Sequence, residues 1–428
     1  MQPIFRLLLI ACLFAASAGV SPAYSVFTHQ EIIDLTWKEL LQPLILKRFP
    51  HTTPAQLQQA HSYAYGGCTI QDLGYYPFAN EFFSDLTHYV RSGDFIDNLL
   101  RDARNANEYA FALGALSHYV GDTVGHREAI NLATGLAFPR LAKKFGPSVT
   151  YDQNPHAHVR TEFAFDIDEL SKQHLAPGAY LRFIGLRVSY DQLDRAFQQT
   201  YSLRLRDILG ERRPSIRSYR SAVRSFLPRI AHALTVLHRN DFPVDGTDDE
   251  SKVFLDRIAH ADFQAVWNQY RHKPSIQTRL LAVVIVILPK IGPLSMLAIK
   301  IPTTHTQDLY VASMNQTMDK YRELLGQVAL TRDGLTEPLP NLDLDTGKES
   351  RPGAYAATDR TYARLLRQIT RDPQTSIPSE LKQNILDFYS DPNAPIATKK
   401  NARAWARVQK NLDTLRNMPA AAASTTRP

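Results

Sequence analysis

Apolar residues recur at every third and fourth position through Ile32 to Leu46, Tyr109 to Val124, Tyr190 to Leu209 and Tyr219 to Leu237. A stripe with that 3.6-residue period is buried as the inner face of a helix. No hairpin signal of comparable strength accompanies these stretches, so the chain is expected to be all-α. Its 428 residues, 44% hydrophobic and 21% charged, are enough for two cores and too apolar for broad disorder.

The first 23 residues read differently. Arg6 precedes the apolar run Leu7 to Ala16, and Ser21-Pro22-Ala23 offers small residues to a peptidase, the pattern of a secretory signal. Leu9-Ile10-Ala11-Cys12 is a competing lipoprotein site. The chain is therefore expected to be exported, periplasmic or secreted, with membrane association as a further option. Removing the signal leaves Cys68 as the single thiol, which excludes an internal disulfide. Breaks rich in Pro, Gly and Asp at 242–249 and 333–353 suggest a catalytic domain at 24–243 and a helical C-terminal domain at 250–417. The simple composition of 418–428 reads as a disordered tail. The formal charge of +7, one unit of it from Arg6, suits anionic lipid surfaces and nucleic acid alike.

Eight of the fourteen histidines lie between His29 and Glu162. In Ser117-His118-Tyr119-Val120-Gly121-Asp122-Thr123-Val124-Gly125-His126, three metal-ligand side chains recur at every fourth residue. On a helix each step of four turns by about 40°, so His118, Asp122 and His126 span about 80° of one face. His158 and Glu162 repeat the spacing on a second segment, and imidazole with carboxylate is a donor set that suits zinc. Either motif alone equally describes a helix-stabilising ion pair. Taken singly, His29, Asp72 and His88 read as structural residues.

Read in order, these residues resemble the zinc-dependent phospholipase C family and its relatives, the single-strand-specific zinc nucleases. Cleavage after Ala23 makes Tyr24 the N-terminal residue, with His29 five positions on, and then come Asp72, His88, His118, Asp122, His126, His158 and Glu162. Tyr24 stands where the family commonly has tryptophan. The segment Ala64 to Phe78 looks more like the phospholipase branch than the nuclease branch. The resemblance implies a multi-helix domain holding about three zinc ions. Asp72, His88, His118 and Asp122 would hold one, His126, His158 and Glu162 a second, and Tyr24 with His29 and a bridging Asp122 the third. A metal-bound hydroxide would be the nucleophile, with Asp72 as a further candidate for general base.

Tyr75, Tyr76, Phe78, Phe82 and Phe83 follow Asp72 and either line a substrate cleft or pack in the core. The residues named for substrate are Tyr75, Tyr76 and Phe78, which could hold an ammonium head group or stack a base. Arg127 and Arg160 are candidates for phosphate, or solvated helix residues. Leu280 to Leu288 is too short to cross a bilayer, which takes about 20 residues. It forms either a buried helix pair with Leu294 to Ile299 or a Pro-Gly-kinked hairpin that dips into a lipid surface beside Arg279, Lys290 and Lys300. Three functions stay open: phospholipid head-group hydrolysis, single-strand nucleic-acid hydrolysis, and zinc-stabilised binding without catalysis. No protein partner is implied.

Overall fold

Residues 25–210, 212–270, 275–290, 292–331 and 334–421 are described by the structure, a computed structural model. The signal at 1–23, Tyr24, and 422–428 of the expected tail lie outside them. The helices used below are α1 (Val26–Thr36), α2 (Pro54–Gly67), α3 (Glu81–Tyr89), α4 (Ala106–Gly125), α5 (Pro155–Lys172), α6 (Leu227–Leu237), α7 (Ile276–Ile287) and α8 (Thr304–Leu330). Strands among the described residues are confined to two-residue pairs, and the fold is all-α.

Helix α4 is the axis of the molecule. The Asn105 side chain accepts from the amides of Asn107 and Glu108, fixing where it begins. Every residue from Tyr109 to Gly125 is buried, as a helix must be when it is covered on all sides. Helix α2 starts with a capping box between Thr53 and Gln56 and has Pro54 in its first turn. It lies backbone to backbone against α4. A Cβ on Gly67 would stand 2.0 Å from the Phe111 carbonyl oxygen, and one on Gly114 2.2 Å from that of Ala64. Helices α1 and α8 also pack on α4. Two ordinarily charged or ionisable residues that α4 buries, His118 and Asp122, therefore need partners inside the protein.

One hydrophobic cluster runs from Val26 to Met418, and a small satellite joins Ala176, Tyr180, Ala261 and Phe263. The break at 242–249 is a connection between α6 and the helix Asp249–Ala259, and the core continues across it. Disorder beginning at residue 418 needs correction. Met418 is buried, the Ile377 amide donates to the Pro419 carbonyl at 3.2 Å, and Ala420–Ala421 (β4) pairs in parallel with Ile377–Pro378 (β3). The methionine anchors the segment, and alanines add a strand with little side-chain entropy to lose.

Within the expected break at 333–353, Leu342–Asp343 (β1) pairs antiparallel with Lys348–Glu349 (β2). Gly347 closes the turn at φ +64°, a left-handed conformation that glycine adopts without strain. A Cβ there would stand 2.4 Å from the Thr123 carbonyl oxygen, so the hairpin tip is docked on α4.

No helix among the described residues is long and apolar enough to cross a membrane. Helix α7 packs on α6 and buries Ala282 and Ile285, but it is not a fully buried element. Ile276, Leu280, Val283 and Ile287 are 78%, 48%, 57% and 77% exposed, and their spacing of four, three and four puts them on one outward face.

Candidate metal centre

Five elements converge at the C-terminal half of α4. Asp72 sits in a short 3₁₀ turn just after α2. That turn is tied to α3 by Ser84, whose hydroxyl accepts from the Gly74 amide at 2.9 Å and donates to the Gln71 carbonyl at 2.5 Å. His88 lies in the last turn of α3, His118 and Asp122 on α4, and His29 in the first turns of α1. The start of α1 is pinned by Asp166 of α5, which accepts from the amides of Phe27 and Thr28 at 3.0 Å each. A carboxylate is favoured at that helix end.

The imidazoles are aimed through their outer nitrogens. Nδ1 of His88 donates to the Ser84 carbonyl at 2.8 Å, Nδ1 of His118 to the Cys68 carbonyl at 3.0 Å, and Nδ1 of His158 to the Val149 carbonyl at 3.4 Å. A carbonyl only accepts, so Nδ1 carries a proton and Nε2 is turned inward, the ring orientation of metal-ligating histidines. Nε2 of His118 and of His88 stand 3.1 and 3.3 Å from Oδ2 of Asp122, and Nε2 of His29 stands 3.2 Å from its Oδ1. Asp122 thus divides its two oxygens between two sets of donors. Oδ1 of Asp72 lies 3.5 Å from Nε2 of His88 and 4.0 Å from that of His118.

Beyond Gly125, α4 passes into a π turn, His126–Ile130, a distortion often found at functional sites. At this junction Nδ1 of His126 lies 3.2 Å from Nε2 of His158, which is 2.8 Å from Oε1 of Glu162. His126 therefore belongs with α5, and the three α4 side chains serve adjacent positions rather than one point. The groups are Asp72, His88 and His118; His29, His118 and Asp122; and His126, His158 and Glu162, with ligand atoms in each group within 4.8 Å of one another. Two ligands on a tetrahedral zinc, each bonded at about 2.0–2.1 Å, stand about 3.3 Å apart. Most of the separations above are close to that.

The donors fit a cation on other grounds too. Both oxygens of Asp72 and both of Glu162 are buried without a hydrogen-bond partner, and the Nε2 atoms of His88 and His158 face them. Carboxylates gathered in a buried space are stable when cations lie among them. Burial, reinforced by Asp122 and Asp72, pushes the Glu162 carboxyl well above its ordinary value, and burial takes His158 down to about 3. Burial would also raise Asp122, but the imidazoles of His118, His29 and His88 hold it well below the usual carboxylate range. Imidazoles and carboxylates, with no lysine or arginine paired to them among the described residues, form a donor set suited to zinc.

The residues expected at the substrate are dispersed. The Tyr75 ring is buried 5.9 Å from that of His88, with Tyr151 between it and His158 in a chain of ring contacts. Tyr76 turns to the core against Tyr219, and Phe83 stacks on Phe197. Phe82 is buried under the Arg364 guanidinium. Phe78 is 72% exposed on a left-handed backbone. Arg127 pairs with Glu128 at 2.5 Å, and Arg160 donates to the Ala298 carbonyl at 2.6 Å over the Phe138 ring.

One acid escaped the sequence analysis. Asp345, at the tip of the β1–β2 hairpin, is buried with Oδ1 3.8 Å from Nδ1 of His126. The acid-rich turn Asp343-Leu344-Asp345-Thr346-Gly347 was its only local signal.

The family model described as zinc dependent phospholipase C matches residues 28–210. No curated protein and no solved structure matches the chain. The match spans His29 through Glu162, and over residues 28–210 the chain is similar in sequence to the zinc-dependent phospholipase C family, in keeping with its helical architecture.

Proposed function

We propose that this chain is a phospholipase C-type phosphodiesterase that cleaves phospholipid head groups at a centre of about three zinc ions. The observation that carries the reading is that two ligand groups meet at His118, with Asp122 of one group also 3.3 Å from His88 of the other, and that a third group is built from His126, His158 and Glu162. If the signal is cleaved behind Ala23, the N-terminal amine and carbonyl of Tyr24 would be ligands for the group of His29. Bound zinc lowers the pKa of an attacking water towards about 7 and offsets charge on the phosphate and the departing alkoxide.

The protein's own side chains orient that chemistry. Carbonyl acceptors fix the rings of His88, His118 and His158, and Asp122 sets the distance between neighbouring positions. Asp72 directs Oδ1 to the two histidines and leaves Oδ2 unpartnered, so it is the candidate to take the proton from the attacking water. Cys68 is no alternative nucleophile, since it is buried and burial pushes its thiol well up.

The surface favours a lipid substrate over nucleic acid. The outward face of α7 is apolar, and the helical run that supports it through α6 carries Arg217, Arg220 and Arg224. With Arg182 these line a cavity of about 610 Å³. An exposed apolar helix face and a cluster of guanidinium groups are each features that suit the interface of an anionic bilayer.

The test is turnover by zinc-loaded protein with its cleaved N-terminus. Release of phosphorylated head group and diacylglycerol from phosphatidylcholine and phosphatidylglycerol vesicles, abolished by chelation, is expected. Hydrolysis of single-stranded oligonucleotides with intact phospholipid would transfer the chain to the nuclease reading. Zinc binding with neither activity would leave a binding protein.

A further inference from the structure

The β1–β2 hairpin lies beyond the family match at 28–210, yet it is fastened to the elements that carry the metal-ligand residues. The Leu344 amide donates to the carbonyl of His88 at 3.0 Å. Ser350 donates to the Tyr89 carbonyl at 2.9 Å, Tyr119 to the Pro340 carbonyl at 2.7 Å, and the Asn131 side chain to the Asp345 carbonyl at 2.8 Å. These contacts hold one side chain, Asp345, against the third ligand group.

The carboxylate is oriented from both sides. Oδ2 accepts from the Tyr89 hydroxyl at 3.0 Å and from that of Tyr355, while Oδ1 is buried without a hydrogen-bond donor and directed to His126. No lysine or arginine pairs with it among the described residues. Asp72, Asp122 and Glu162 share the same interior, so a fourth carboxylate there adds repulsion unless cations offset it. Oδ1 faces Nδ1 of His126, the nitrogen turned towards His158, so the carboxylate stands on the cation's side of the ring, where an outer carboxylate acts by its charge and on a metal-bound water.

We infer that Asp345 is a positioning carboxylate of the metal centre, strengthening the hold of His126, His158 and Glu162 on their cation. The C-terminal half therefore completes the centre. Asp345 does not come within 4.8 Å of all three ligand atoms, so it acts by charge and through a bridging water rather than as a direct ligand. This rests on reading the cluster as a metal centre and is independent of which phosphodiester is cleaved.

Asp345→Asn keeps an oxygen for the tyrosine hydroxyls and removes only the charge. Zinc content would be measured by mass spectrometry during graded chelation of the full chain, with Glu162→Gln as the reference for loss of that position. The variant should release one equivalent at a chelator strength about 10–100-fold lower than wild type does, in line with loss of outer carboxylates elsewhere. Stripped of metal, it should melt no lower than stripped wild type, because a buried unpaired charge has gone. Release identical to wild type would overturn the inference. So would a variant that fails to fold, or is equally destabilised with and without metal, since Asp345 would then be structural. Wild type holding no zinc would instead sink the metal-centre reading itself.

Discussion

Gly121 faces the ring of His29 across a gap that a single added methyl would fill. A Cβ there would stand 3.4 Å from Nδ1 and Cε1 of that ring and 3.1 Å from Cδ1 of Ile32. The imidazole of His29 is simultaneously stacked on that of His118, with centroids 4.2 Å apart. It therefore has little room to retreat. Gly121→Ala should push the end of Ile32 aside by a few tenths of an ångström and wedge against the His29 ring, cost about 1 kcal/mol in stability as mild overpacking does, and weaken zinc retention at the position of His29. Metal analysis beside thermal melting checks this, and unchanged zinc in a folded variant would show that His29 tolerates the shift.

His118 belongs to two ligand groups and Glu162 to one. Nε2 of His118 can bind only one ion, whereas the two oxygens of Asp122 face different sets of donors, so Asp122→Ala should cost two equivalents of zinc where Glu162→Gln costs one. Both should lose activity, so stoichiometry rather than turnover separates them. Equal losses would mean that the three groups do not act as distinct positions.

The metal-ligand pattern on α4 and α5 was legible because a helix converts spacing of four into a shared face, and nothing tertiary had to be known to see it. The aromatic residues after Asp72 show where that legibility ends. Their types were visible, but Tyr76 and Phe83 find Tyr219 and Phe197 more than a hundred residues away, and no local period encodes which face meets which. Asp345 was hidden for the same reason, compounded by strands of two residues, too short to display alternation. Gly121 carried no signal at all, since its importance lies in what stands beside it.

Asp97 makes a pH-dependent contribution to stability away from the metal. Its Oδ2 accepts from the Leu339 amide at 3.0 Å, its Oδ1 has no partner, and burial lifts the carboxyl to about 6. The unfolded chain ionises this group near 3.9, so between those values the folded protein binds more protons. Stability linked to Asp97 is then fullest below about pH 4 and falls as pH rises through about 6, by on the order of 2 kcal/mol. Asp97→Asn retains an acceptor for Leu339 and cannot titrate. The melting temperature of the variant relative to wild type should rise between pH 4.5 and 7.5; parallel profiles would place the ionised group in contact with solvent.

The outward face of α7 separates membrane contact from chemistry. Val283 and Ile287 are largely exposed, so Val283→Ser with Ile287→Ser removes apolar surface without opening a cavity, and stability should change by less than about 0.5 kcal/mol per site. If α7 meets the bilayer, each substitution removes part of the apolar transfer energy, on the order of 1–2 kcal/mol for a side chain that becomes buried. The double variant should then bind anionic vesicles at least about tenfold more weakly. Its turnover of a short-chain phospholipid dissolved as monomer should be unchanged, because no residue of α7 belongs to the ligand groups. Weakened turnover of both substrates would implicate the helix in shaping the centre, and undiminished vesicle binding would leave the arginines at 182, 217, 220 and 224 as the means of docking, through charge alone and hence with a steep dependence on salt.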